Sequence, residues 1–189
     1  MPAATTHKPG ENAVGTIDYA LLAKPLEFIL ADHLRQRNLC CLLECLAQER
    51  RLDPALAASI ADYVADEMSI HVIDEEEDLF PLLRRRAGPG DDVERVLGLL
   101  SREHSEDDRL AEAIVNGLRE AVYNGQEEIG PDLRMKLRTF ARRQRRHLAV
   151  ENAVVMPLAE ARLTMKDRAG LARRMAVRRG IHLHAGEKA

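Results

Sequence analysis

The sequence predicts an all-α protein: an up-down-up-down four-helix bundle with one additional C-terminal helix. Aromatic residues make up only 3% of the chain and Trp is absent, while apolar residues reach 46%. A core so poor in rings must be built from Leu, Ala, Val and Ile, which favours helices over a β-sandwich. Four long stretches also repeat apolar residues at steps of three and four. Short Pro, Gly and Asp breaks separate them, which forces antiparallel neighbours. A chain of 189 residues is long enough for one such domain with appendages.

Residues 1–23 contain Pro, Gly and Thr without periodicity and read as a loose N-terminal arm. Pro25 suits the first turn of a helix reaching about Arg50, because its missing N–H is not needed there. Asp53-Pro54 reads as an N-cap followed by Pro at the first helical position, opening a second helix to about Arg86. Ala87-Gly88-Pro89-Gly90 stops it. A third helix starts at Asp91 or Asp92 and fades near Asn124-Gly125. Gly130-Pro131 opens a fourth, to about Ala161, so the bundle occupies residues 24–161. Thr164 caps a fifth helix ending at Gly180, within a basic C-terminal helix and tail at 162–189.

Each long helix carries an apolar seam with a polar middle. The fourth reads Leu133, Leu137, Phe140, Gln144, His147, Glu151, Val154, Leu158. The others read Leu26, Leu30, His33, Arg37, Cys40; then Val64, Met68, His71, Glu75, Leu79, Leu82; then Val93, Leu97, Leu100, His104, Asp107 or Asp108, Ala111. One histidine per helix thus lies on the apolar side. HVIDEEEDLFPLL (71–83) and HLAVENAVVMPLA (147–159) share a skeleton of His, Glu four residues on, and Pro-Leu from the tenth residue on. Asp32-His33 and Glu103-His104 form a second echo. Two helical hairpins related by a pseudo-twofold would bring these residues together near the bundle centre.

Residues i and i+4 of a helix lie about 6 Å apart along the axis, so His71/Glu75 and His147/Glu151 can face one site. Ionised carboxylates buried in a bundle core would cost several kcal/mol each without a counter-charge. One or two dications supply it, and imidazole with carboxylate suits Fe, Mn or Zn better than Mg or Ca.

His33, His71-x-x-x-Glu75, His104 and His147-x-x-x-Glu151 on four successive helices resemble the hemerythrin-like, or HHE cation-binding, domain, over residues ~25–160. The continuations from Glu76 into Phe80-Pro81-Leu82 and from Glu151-Asn152 into Pro157-Leu158 are similar as well. The resemblance implies a non-haem di-iron centre, oxo- or carboxylate-bridged, with Glu75 and Glu151 as bridges and the histidines as terminal ligands. It departs from the oxygen-carrying members, which have His-x-x-x-His on the third helix and His-x-x-x-x-Asp on the fourth. Here Asp108 stands at the third-helix position, as a candidate ligand with Asp107 competing. A histidine-poor shell favours ferric iron and points away from reversible O₂ carriage. The expected roles are reaction with or sensing of O₂, peroxide or NO, or iron handling. A regulatory module without turnover and a mononuclear Zn or Mn structural site are the alternatives.

Gln144, one turn before His147, and Tyr63, two turns before His71, are candidates for orienting the ligands. Glu76, Glu77 and Asp78 read as a solvated face. Cys40, Cys41 and Cys45 crowd one helix in a geometry poor for disulfides, so a reducing cytoplasm is expected. The net charge of −3 gives no reason to expect nucleic-acid binding. No stretch is apolar enough to span a membrane, and residues 1–15 do not read as a secretory signal. Residues 162–189 hold eight Lys/Arg against two Asp/Glu. That basic helix is a candidate contact for a second copy or another protein. No nucleophile triad, phosphate loop or dinucleotide motif offers a competing chemistry.

Overall fold

The computed structural model describes residues 13–49 and 51–183. Helix α1 spans Pro25–Gln48, with Pro25 in its first turn. Helix α2 runs over 54–86, opened by Asp53, whose carboxylate accepts from Ala55 N and Leu56 N. Helix α3 spans Val93–Tyr123. Helix α4 runs over 131–162, again with Pro in the first turn. Helix α5, Met165–Arg178, starts with a capping box between Thr164 and Asp167. The four long helices alternate in direction, and α1 packs most extensively on α4, α2 on α3.

The core is two apolar clusters with a polar layer between them. One gathers the end of α1, the start of α2, the end of α3 and the start of α4, around Leu43, Ile60, Leu118 and Phe140. The other gathers the opposite ends with α5, around Ile29, Phe80, Leu97, Met156 and Met175. The helices are thus antiparallel because each contributes one end to each cluster. The predicted polar middle of every seam lies in the layer between.

Three π turns interrupt the α ladder: Tyr63–Glu67 and Asp74–Leu79 in α2, and Glu151–Val155 in α4. A π turn inserts one residue without adding a turn, so everything after it is displaced by one position in the seam. This corrects the expected α4 seam. Val154 is 40% exposed, whereas Val155 and Ala159 are buried. The α1 seam is corrected by phase instead. Leu30 and Arg37 face solvent, and the buried stripe is Leu26, Ile29, His33, Gln36, Cys40, Leu43. Both phases share Leu26, His33 and Cys40, so spacing alone did not separate them.

The expected loose arm is corrected over its described part. Val14 and Leu22 are buried, and Tyr19–Ala23 forms a 3₁₀ turn capped by Asp18. Asn38 Nδ2 donates to the carbonyls of Ala13 and Val14, and Arg35 Nε to that of Gly15. Gly15 adopts φ +100°, a left-handed conformation open to glycine at little cost. The loose reading missed that isolated Val and Leu residues suffice to anchor a segment along a helix face. The remainder of the arm, residues 1–12, lies outside the described residues.

Candidate metal centre

His33, His71, Glu75, His104, His147 and Glu151 meet in the polar layer. Their ligating atoms form two overlapping groups, each with its atoms within 4.8 Å of one another: His33, His71, Glu75, Glu151, and Glu75, His104, His147, Glu151. Both glutamates belong to both groups, and each divides its oxygens between them. Glu75 Oε1 lies 3.5 Å from His33 Nε2 and 3.4 Å from His71 Nε2, while Oε2 lies 3.5 Å from His104 Nε2. Glu151 Oε2 lies 3.5 Å from His33 Nε2, and Oε1 lies 2.9 Å from His147 Nε2.

Proximity here is not hydrogen bonding. All four glutamate oxygens and the Nε2 atoms of His33 and His147 are buried without a hydrogen-bond partner. Orphaned acceptors of this kind are rare in folded proteins, and a cation that they surround explains them.

The opposite nitrogens of all four rings are occupied, and the pattern follows the pseudo-twofold. His71 Nδ1 is paired with Asp32 Oδ2 at 3.1 Å, and His147 Nδ1 donates to Glu103 Oε2 at 3.0 Å. His33 Nδ1 donates to Asn152 Oδ1 at 3.0 Å, and His104 Nδ1 to Glu76 Oε1 at 2.7 Å. The acid before each odd-helix histidine thus holds an even-helix histidine. The residue after each glutamate holds the odd-helix histidine of the other hairpin. With Nδ1 carrying the proton, every Nε2 lone pair is left facing the centre.

Electrostatics fit the same arrangement. Burial alone would raise the Glu75 carboxyl, but the His71 and His33 rings outweigh it and hold Glu75 well below the usual carboxylate range. Burial disfavours charge on His71, yet Glu75 and Asp32 push its pKa well above that of a free imidazole. His147, likewise desolvated, is pushed up to about 9 by Glu151 and Glu103. Asp32 and Glu103 keep lowered pKa values despite burial, through their bonds to His71 and His147, with Arg35 and Arg146 beside them. Without a cation the cluster therefore holds protons, and a bound metal ion would take their place.

The remaining candidates lie around this centre. Asp108 is exposed and belongs to neither group; it stands at the mouth of a cavity of about 290 Å³ that reaches inward to His71, His104 and His147. Asp107 is buried, paired with Arg143, and accepts from Gln144 Nε2 at 3.1 Å. Gln144 therefore lines the cavity with its amide donated to Asp107 rather than to a ring. Tyr63 donates to Asp32 Oδ1 at 3.3 Å, one bond beyond His71. Asp32, Glu103, Glu76 and Asn152 were missed as orienting residues, although the two sequence echoes contained all four. The solvated-face reading holds for Glu77 alone; Glu76 binds His104, and Asp78 is buried beside Arg174 and Arg178 of α5.

A family model for the hemerythrin HHE cation-binding domain matches residues 24–159. The chain belongs to that family. No curated protein matches it. The match spans α1 to α4, and the described His/Glu cluster fits a cation-binding hemerythrin domain. The α5 helix lies beyond the matched residues. No helix among the described residues is long and apolar enough to cross a membrane.

Proposed function

We propose that this hemerythrin-family protein holds two non-haem iron ions and reacts with, or senses, O₂, peroxide or NO, or handles iron. The observation that supports two ions rather than one is the division of Glu75 and Glu151, one oxygen of each toward either histidine group. His33, His71, His104 and His147 would be the terminal ligands and the two glutamates the carboxylate bridges. Asp108 stays a candidate only through a change of rotamer from the cavity mouth. Iron held there supplies redox equivalents and a coordination position for a small molecule. The chain's own part is to fix each imidazole through Nδ1, to keep bulk water out with the two apolar clusters, and to admit a small reactant through the cavity. Asp107 and Gln144, bonded to each other, set its polarity.

A second reading, a metal-dependent regulatory module, draws support from α5. Arg178 and Arg179 pair with Asp74, which precedes Glu75, and Arg174 and Arg178 pair with Asp78. Three of its arginines, Arg174, Arg178 and Arg179, are thus spent on α2. A second copy or another protein would meet its outer face, where Met165, Arg173 and Val177 are exposed. The described cysteines are free, in keeping with the proposed cytoplasmic setting.

The deciding experiment is elemental analysis of protein purified in air, with a visible spectrum of the same sample. Two irons per chain with near-ultraviolet to visible absorption of bridged ferric ions would support the proposal. One zinc, or no metal in protein that cannot be reconstituted with ferrous iron, would overturn it.

A further inference from the structure

The cavity beside the histidines is larger than a diatomic molecule or hydrogen peroxide requires. It measures about 290 Å³, against a share of roughly 30 Å³ for one water molecule. That is close to the roughly 300 Å³ at which ordinary small-molecule sites begin. All four bundle helices contribute to it, and it opens to solvent between α2 and α3 at Ser69, Ile73 and Asp108.

Its walls are chemically divided. Val64, Met68, Val72, Ala111 and Phe140 form an apolar lining. Gln36 of α1 also lines it, is 2% exposed, and has an Nε2 amide that is buried without a hydrogen-bond partner. Outside the metal cluster, the other buried polar side chains of the lining are committed: Gln144 donates to Asp107, and Asp107 pairs with Arg143. The amide of Gln36 is thus a donor in need of an acceptor, which a well-placed ligand oxygen would provide. An anion is disfavoured. His71 and His147 also line the cavity, but each ring is already faced by two carboxylates, Asp32 and Glu75 or Glu103 and Glu151. Arg143 is likewise neutralised by Asp107 and Glu106, and Asp108 adds negative charge at the mouth.

We propose that this cavity binds a neutral organic molecule of roughly five to ten non-hydrogen atoms. Its carbonyl or hydroxyl oxygen accepts from Gln36, and its apolar body lies among Met68, Val72, Ala111 and Phe140. The use of that molecule as a substrate beside the metal centre rests on the proposed function; its binding does not.

The probe is cyclohexanone, titrated into the full chain, metal-free and iron-loaded, with the ¹³C-labelled methionine methyls followed by NMR. Saturable movement of the Met68 methyl is expected, with the exposed Met135 and Met165 methyls unmoved. Gln36→Leu should weaken binding about three- to tenfold, the loss of one neutral hydrogen bond. Ala111→Phe should abolish it, and Val72→Phe repeats the test from another wall if Ala111→Phe does not fold. Absence of saturation in both forms, or unchanged binding in a folded cavity-filling variant, would overturn the site. Unchanged binding in Gln36→Leu would overturn the acceptor assignment. Iron content of the same samples separates the two proposals. Saturation in a chain that takes up no iron leaves the cavity standing without the metal reading, and two irons without saturation leaves the reverse.

Discussion

At the scale of single residues, the proposed ligands and their holders should fail differently. Glu75 and Glu151 each contribute oxygens to both groups, so Glu75→Ala or Glu151→Ala should lose most of a two-metal complement while the helical circular dichroism remains. Two ions retained in both variants would remove the ligand assignment. Within the cluster, Asp32 and Glu103 reach only the far nitrogens of His71 and His147. Asp32→Ala and Glu103→Ala should therefore keep the capacity for metal but weaken affinity about 10- to 100-fold. Competition against a chelator of known strength measures this, and unchanged affinity would show that the Nδ1 bonds are incidental. The six meeting residues were legible because four histidines and two His-x-x-x-Glu pairs fell in register on four seams. Their holders were not, because Asp32, Glu103 and Glu76 resemble any surface carboxylate until tertiary contacts bury them. Asp108 shows the converse: its spacing from His104 matches a ligand, yet it stands exposed at the cavity mouth while α3 turns Asp107 inward.

At the scale of elements, the π turns are what periodicity does not reveal. A four-residue step from His147 to Glu151 looks the same in either ladder; only the fate of Val154 and Val155 tells them apart. The extra residue of Glu151–Val155 re-aims Glu151 and Asn152 while the downstream face still reaches its cluster. Deletion of the exposed Ala153 should convert this turn to a continuous α-helix with Val155 and Ala159 still buried. Helicity and most of the thermal stability would survive, and metal content would fall by at least half. Retention of full metal would mean that the π turn does not aim the ligands. The fifth helix was legible end to end, since Thr164 and Gly180 mark it by local chemistry alone. Its docking was not, because the arginines that hold it find Asp74 and Asp78 about a hundred residues away in sequence. Asp167 both caps α5 and pairs with Arg86, and those bonds hold its carboxyl well below the ordinary range. Stability from such a lowered pKa is present above the unfolded value and lost as pH falls toward the folded one. Asp167→Ala should thus lower Tm by about 2 to 4 °C at pH 7. The gap to the unaltered protein should shrink below about pH 4. A gap constant over that range would mean that Asp167 acts through shape rather than charge.

At the scale of the whole molecule, two dry clusters bracket a layer that holds charge without full hydrogen bonding. Each cluster joins ends from all four long helices, so the bundle topology does not depend on the metal. The layer between them does, because removing a cation leaves buried carboxylates with only the imidazole protons as counter-charge. Metal removal should therefore leave helix content intact and lower the melting temperature. A cation at a thousand times its dissociation constant contributes about 4 kcal/mol of stability. Lost hydrogen-exchange protection should concentrate around His71–Leu79 and His147–Val155, with the amides near Leu43 and Ile60 spared. The same measurement separates the two functional readings. If the exchange change stops at the polar layer, the centre is a preformed reactive site. If it also spreads along Met165–Arg178, the arginine contacts at Asp74 and Asp78 transmit occupancy to α5, and the protein is a switch. Global loss of protection on metal removal would contradict both, because it would mean that the two clusters cannot stand without the ions between them.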